Sequence, residues 1–133
     1  MIGIVIVTHG QLGREIIKTA EFIGGSLDGC ATVSVDSGQG PDSILQAIEQ
    51  AIKSVSQGAG VLLLTDMFGG TPSNVGLSFL SEGKVEVVTG VNLPMFIKAI
   101  QLRGKMALAE AAQAVGEAGH KSITVASEIM GGK

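Results

Sequence analysis

The chain has no tryptophan, no tyrosine and no cluster of basic residues, and its net charge is only −3. Nucleic acid is therefore offered neither an aromatic stacking platform nor an electrostatic footprint. A single cysteine, Cys30, cannot close an internal disulfide, which suits a reduced, cytoplasmic setting. Long apolar runs are missing as well. Even GAGVLLLTDMFGG meets Asp66 after a few residues, far short of a membrane span, and no direct membrane insertion is expected. The opening MIGIVIVTHG lacks a positively charged flank and reads as a strand rather than a signal peptide.

What is present describes a well-cored globule. Of the 133 residues, 45% are hydrophobic and 16% charged, 20 are glycine, and the mean hydropathy is +0.44. A chain of this length is most simply one domain, residues 1–133, burying about two thirds of its unfolded surface.

Strand and helix patterns alternate regularly. Strands are expected at residues 2–7, 31–36, 61–65, 85–89 and 122–127. Between the first two, Leu12, Ile16, Ala20 and Ile23 recur at helical spacing, and Gly24-Gly25 stops that helix. Pro41 opens a second helix with an apolar face of Ile44, Ile48, Ala51, Ile52 and Val55, followed by Gly58. A short third helix starts at Thr71-Pro72, and residues 94–102 and 105–118 suggest two more. The succession predicts an α/β fold with an open, mostly parallel, doubly wound sheet of order 2-1-3-4 and helices on both faces, flavodoxin-like or a near relative. The last strand follows two consecutive helices, so the crossover rule does not fix its direction.

In that strand order the connections after strands one and three leave in opposite directions, and a cleft opens between them. Both connections carry chemistry. Thr8-His9-Gly10 follows the first strand and TDMFGGTPSN, residues 65–74, ends the third, so Asp66 faces His9 across adjacent strand ends. A carboxylate beside an imidazole fixes its tautomer and leaves the other ring nitrogen free as base or nucleophile. Gly69-Gly70 lets backbone approach closely, and Thr71 reads as an N-cap followed by proline, with the amides of Ser73 and Asn74 pointing out of the helix start. Such an end suits an anion, phosphate especially. Taken singly, each piece has a plainer use: a polar strand cap, a turn, a helix cap. Their coincidence at one predicted edge points to a phosphoryl group carried on His9.

Other occupants of the crevice meet obstacles. A receiver domain needs an acidic pair after strand one to hold Mg²⁺, and Thr8-His9 supplies none. A flavodoxin needs a hydroxyl-rich first loop and flanking aromatics. A zinc site needs more ligands than one histidine and one aspartate, and a serine hydrolase needs a G-x-S-x-G elbow. No metal and no cofactor is expected. His120, ahead of the last strand, reads as structural or merely exposed.

Three segments, IVIVTHG at 4–10, LLTDMFGGTPSN at 63–74 and VVTGVNLPM at 87–95, give the chain a resemblance to the IIA domain of the mannose-family sugar phosphotransferase system. That resemblance covers nearly the whole chain and implies a cytoplasmic phosphocarrier that is a homodimer. It makes His9 the phosphorylated residue, attacking through Nε2, and Asp66 the carboxylate that holds Nδ1. Gly70, Thr71 and Ser73 then lie where the family's loop and helix start cradle the phosphate, Thr71 replacing a serine found in some members. It implies that the final strand, 122–127, runs antiparallel at the edge of a partner's sheet, exchanged between subunits. The implied donor is the histidine-containing phosphocarrier protein and the implied acceptor a IIB component on a separate chain; the alternative is a free-standing regulatory module whose binding depends on His9 phosphorylation. A family acting in dihydroxyacetone phosphorylation shares a similar histidine, but FGGTPSN favours the mannose type. A shallow, open site is expected, with some of Met67, Phe68, Pro94 and Met95 forming a docking surface.

Overall fold

The structure is a computed structural model that describes residues 1–24 and 27–131. Chain order is β1 (Gly3–His9), α1 (Leu12–Ile23), β2 (Cys30–Val35), α2 (Pro41–Val55), β3 (Val61–Thr65), α3 (Thr71–Leu77), β4 (Val85–Thr89), α4 (Leu93–Leu102), α5 (Leu108–Lys121) and α6 (Ala126–Met130). The four strands are all parallel in the order β2-β1-β3-β4, as the alternation of strand and helix requires.

The apolar run of β1 is continuous because the strand is covered on both faces. Ile2, Ile4 and Ile6 point to one side, with Leu62 and Leu64 of β3, and pack on Ile16 and Ala20 of α1, Phe96 of α4 and Val115 of α5. Val5 and Val7 point to the other, with Leu63, Val33 and Val35, beneath Ile44, Ile48 and Val55 of α2. Residues 4 to 7 are each 0% exposed, and each such side chain contributes about 1.5–3 kcal/mol by leaving water. Two cores thus share one sheet.

The amino edge of the sheet is closed by Arg103, just past the end of α4 and only 5% exposed. Its guanidinium Nη1 donates to the Asp28 carbonyl and lies 3.4 Å from Cys30 Sγ, while its own carbonyl accepts from the Ile2 amide at 2.8 Å. Burial pushes the Cys30 thiol up, against the pull of the Arg103 charge, so it stays protonated.

Several boundaries differ from expectation. The α1 helix does end at Gly24, whose amide bonds the Ala20 carbonyl, whereas Gly25 lies outside the described residues. Leu12 and Ile23, expected on the buried face of α1, are exposed; Ile16 and Ala20 carry the packing. The fifth strand is absent from the sheet formed by the described residues. Helix α5 runs to Lys121, beyond the expected 118, and puts His120 in its exposed last turn rather than ahead of a strand. The Ser122 hydroxyl then caps the Gly119 carbonyl at 2.7 Å, residues 123–125 are irregular, and α6 follows. Ile123, at 76% exposure, has the composition for a strand but pairs with no strand among the described residues.

Candidate active site

Register places the key groups. Val7 pairs with Thr65, so His9 lies two residues beyond the last β1–β3 pair and Asp66 one residue beyond it, both at the carboxyl edge. Strand ends here are tied down locally. The Thr8 hydroxyl, fully buried, accepts from the Gly13 amide at 2.9 Å and so fixes the start of α1 to the residue before His9. The Gly10 amide donates to the Val35 carbonyl at 2.9 Å.

Asp66 is the hub. One carboxylate oxygen, Oδ2, accepts from the His9 backbone amide at 2.8 Å and lies 2.7 Å from the ring Nδ1. The other, Oδ1, accepts from the Met67 amide at 2.9 Å. Burial alone pushes the Asp66 carboxyl up, but the hydrogen bonds from the His9 amide, the His9 ring and the Met67 amide outweigh it and hold the group below its ordinary value. An ionised carboxylate only accepts, so the neutral ring carries its proton on Nδ1 and keeps the lone pair on Nε2. The His9 side chain is 52% exposed and that of Asp66 11%: the imidazole is half open to solvent while its anchor is covered.

Sequence reasoning brought these two residues together correctly but misplaced the helix start beside them. The N-cap of α3 is Gly70, with Thr71 the first helical residue and Pro72 the second. Because the cap lies one residue earlier, the Asn74 amide is spent inside the helix on the Gly70 carbonyl at 2.9 Å and does not point outward. Thr71 is exposed, whereas Ser73 is fully buried; its hydroxyl and that of Thr65 at the end of β3 find no hydrogen-bond partner among the described residues. Gly70 passes directly against the imidazole.

Of the four residues expected to form a docking rim, Met67, Phe68 and Pro94 are exposed, Phe68 at 74%, but Met95 is buried against Gly119 and faces the core. Leu12, at the start of α1, was missed by periodicity because it shares the spacing of the buried positions; it lines an open depression of about 210 Å³ with Glu15, Ile16, Thr19 and Leu93. Among the described residues no group of three or more His, Cys, Asp or Glu is arranged to hold a metal, and no helix is long and apolar enough to cross a membrane.

Comparison with known proteins bears on the family and the fold. Residues 3–116 match the family described as PTS system fructose IIA component, EIIA-man. The chain is 30% identical over 131 residues to the fructose-specific EIIA component of Bacillus subtilis, covering 98% of this chain and 90% of that one. It is 29% identical over 103 residues to the mannose-specific EIIAB component of Escherichia coli, which covers 77% of this chain but only 32% of that longer protein. Its fold superposes on the crystal structure of an EIIA component from Streptococcus agalactiae with a TM-score of 0.85 at 27% identity, covering 96% of this chain and 98% of that one. With a four-stranded parallel sheet of the same type and a family match over most of its length, the chain belongs to the mannose family of phosphotransferase-system IIA components.

Proposed function

We propose that residues 1–133 work as one phosphohistidine carrier: His9 accepts a phosphoryl group from the histidine-containing phosphocarrier protein and passes it to a IIB component during sugar uptake. Family membership supports phosphoryl transfer in sugar uptake. The observation that carries the assignment to His9 is the 2.7 Å contact between its Nδ1 and Asp66, which leaves Nε2 unclaimed by the carboxylate on a half-exposed side chain.

In the transfer, that lone pair attacks the donor's phosphorus in line; the new N–P bond forms as the donor's N–P bond breaks, and the donor imidazole leaves with the electron pair. The phosphorylated ring that keeps its Nδ1 proton is cationic, and the Asp66 carboxylate balances that charge. Passing the group on reverses the geometry with the IIB component as nucleophile. Little is needed besides positioning and charge stabilisation, and an open site lets two partners reach the same nitrogen in turn.

Gly70 and Thr71 border the phosphoryl position, with Thr71 offering a hydroxyl and a first-turn amide. Ser73, being buried, acts by supporting the helix start from below. Leu12, Met67, Phe68 and Pro94 supply an apolar rim for protein partners. The exposed Ile123, Val125, Ile129 and Met130 and the unpaired outer edge of β4 support a homodimer in which residues 122–127 pair with a second copy; a monomer at micromolar concentration in sedimentation would remove that part. A cytoplasmic location follows from the same role.

Incubation with phosphoenolpyruvate, enzyme I and the phosphocarrier protein, followed by peptide mapping, is expected to place an acid-labile, base-stable phosphate on His9. Absence of label beside an active donor would refute the carrier role. Label on His9 that no IIB component accepts would favour a regulatory module.

A further inference from the structure

Gly69 and Gly70 are neighbours with opposite reasons to be glycine. Gly69 has φ +92°, which L side chains rarely adopt, and a Cβ added there would meet nothing within 4 Å. Gly70 has φ −81° and ψ 167°, extended backbone open to any residue. Yet a Cβ on Gly70 would stand 3.0 Å from His9 Cε1, 3.5 Å from Met67 Cγ and 3.7 Å from His9 Nε2. The backbone does not ask for glycine at position 70; the imidazole does.

We propose that Gly70 is a positioning residue for the transfer: by turning bare backbone toward the Cε1–Nε2 edge of His9, it lets the ring lie where Asp66 can hold Nδ1 while Nε2 faces out. The inference rests on the reading of His9 as phosphoryl acceptor. A methyl at 3.0 Å requires the ring to retreat by a few tenths of an ångström. His9 has room to do so, being half-exposed, but its Nδ1 is anchored at 2.7 Å, so retreat lengthens that bond. Once the bond weakens, the proton is no longer confined to Nδ1 and a share of the molecules carries it on Nε2, where it blocks attack.

The test combines two measurements on the full chain, unaltered and as Gly70→Ala: nitrogen-15 NMR of the histidine rings, with His120 as internal control, and the rate of phosphorylation by the phosphocarrier protein. The unaltered chain is expected to show a single Nδ1–H tautomer at His9. Gly70→Ala is expected to show mixed tautomers and a rate about tenfold lower, the scale at which small misplacements act. A variant with the original ring signature overturns the proposal whatever its rate, since slow transfer from an unmoved ring would assign the glycine to making room for the phosphoryl group. A shifted signature with the original rate also overturns it, and so does failure to fold, which would make the glycine a backbone requirement. If the unaltered chain accepts no phosphate, the carrier reading fails, while the ring signature still decides whether Gly70 positions the imidazole.

Discussion

The two edges of the sheet solve opposite problems with similar means. At the amino edge a cation, Arg103, is buried and spends its donors on the Asp28 carbonyl and the Cys30 sulfur. At the carboxyl edge an anion, Asp66, is nearly covered and accepts from the His9 amide, the His9 ring and the Met67 amide. The Arg103 side chain is buried, whereas the imidazole held by Asp66 is half-exposed. On the proposed reading the contrast separates a charge that holds the fold from a charge that prepares a nucleophile, and it can be broken by substitution.

The largest effect is expected from His9→Ala, which removes the acceptor nitrogen: labelling should vanish altogether, while the thermal midpoint stays within a few degrees because the side chain is half-exposed. Loss of more stability than that would place His9 on the structural side of the contrast. Arg103→Leu should do the reverse. It leaves the Asp28 carbonyl without its buried donor and is expected to cost about 2–3 kcal/mol in denaturant unfolding, with the folded fraction labelled at the original rate. A stability change near zero, or a transfer defect, would deny the amino edge its purely structural part.

The smallest effect is expected from Asp66→Asn, which keeps the shape but replaces the anion: transfer should slow by about tenfold or more through a mis-set tautomer, and the fold should survive at neutral pH. Its acid behaviour sharpens the point. The folded state holds the Asp66 carboxyl below its ordinary value, so its contribution to stability is complete above about pH 4 and is lost as the pH falls through the depressed value. Thermal midpoints measured down an acid series should therefore decline less steeply in Asp66→Asn than in the unaltered chain; identical declines would show that the hydrogen bonds do not favour the charge.

Much of the carboxyl edge was legible in the sequence and almost none of the amino edge. A run such as GIVIVTH is unambiguous because a strand covered on both faces stays apolar until near its end, where the buried Thr8 has a backbone partner and His9 surfaces, which both defines β1 and marks His9. Strand order then brings Asp66 to it. Arg103 gave no such signal, since a basic residue after a helix reads as a solvated charge near the negative helix end. The cap of α3 slipped by one residue because Gly70 and Thr71 are both acceptable caps and only tertiary contact chooses between them. Leu12 and Met95 show the limit of periodicity: spacing names a face, but Leu12 lies at the helix start where that face has run out of neighbours, and Met95 turns inward because Gly119 leaves it room. The segment at 122–127 has a strand's composition but pairs with none of the four strands of the described sheet, since composition names a strand without naming its partner.

Because β1 contributes to both cores, neither half of the molecule can come apart while the other keeps it. Amide hydrogens of Val5 to Val7 should consequently exchange with solvent only through global unfolding, whereas those of the glycine loop after Asp66 exchange through local fluctuation. His9 thus stands between a fully buried strand and an exposed glycine loop, so that the loop around the imidazole can be remodelled without loosening the strand that carries it.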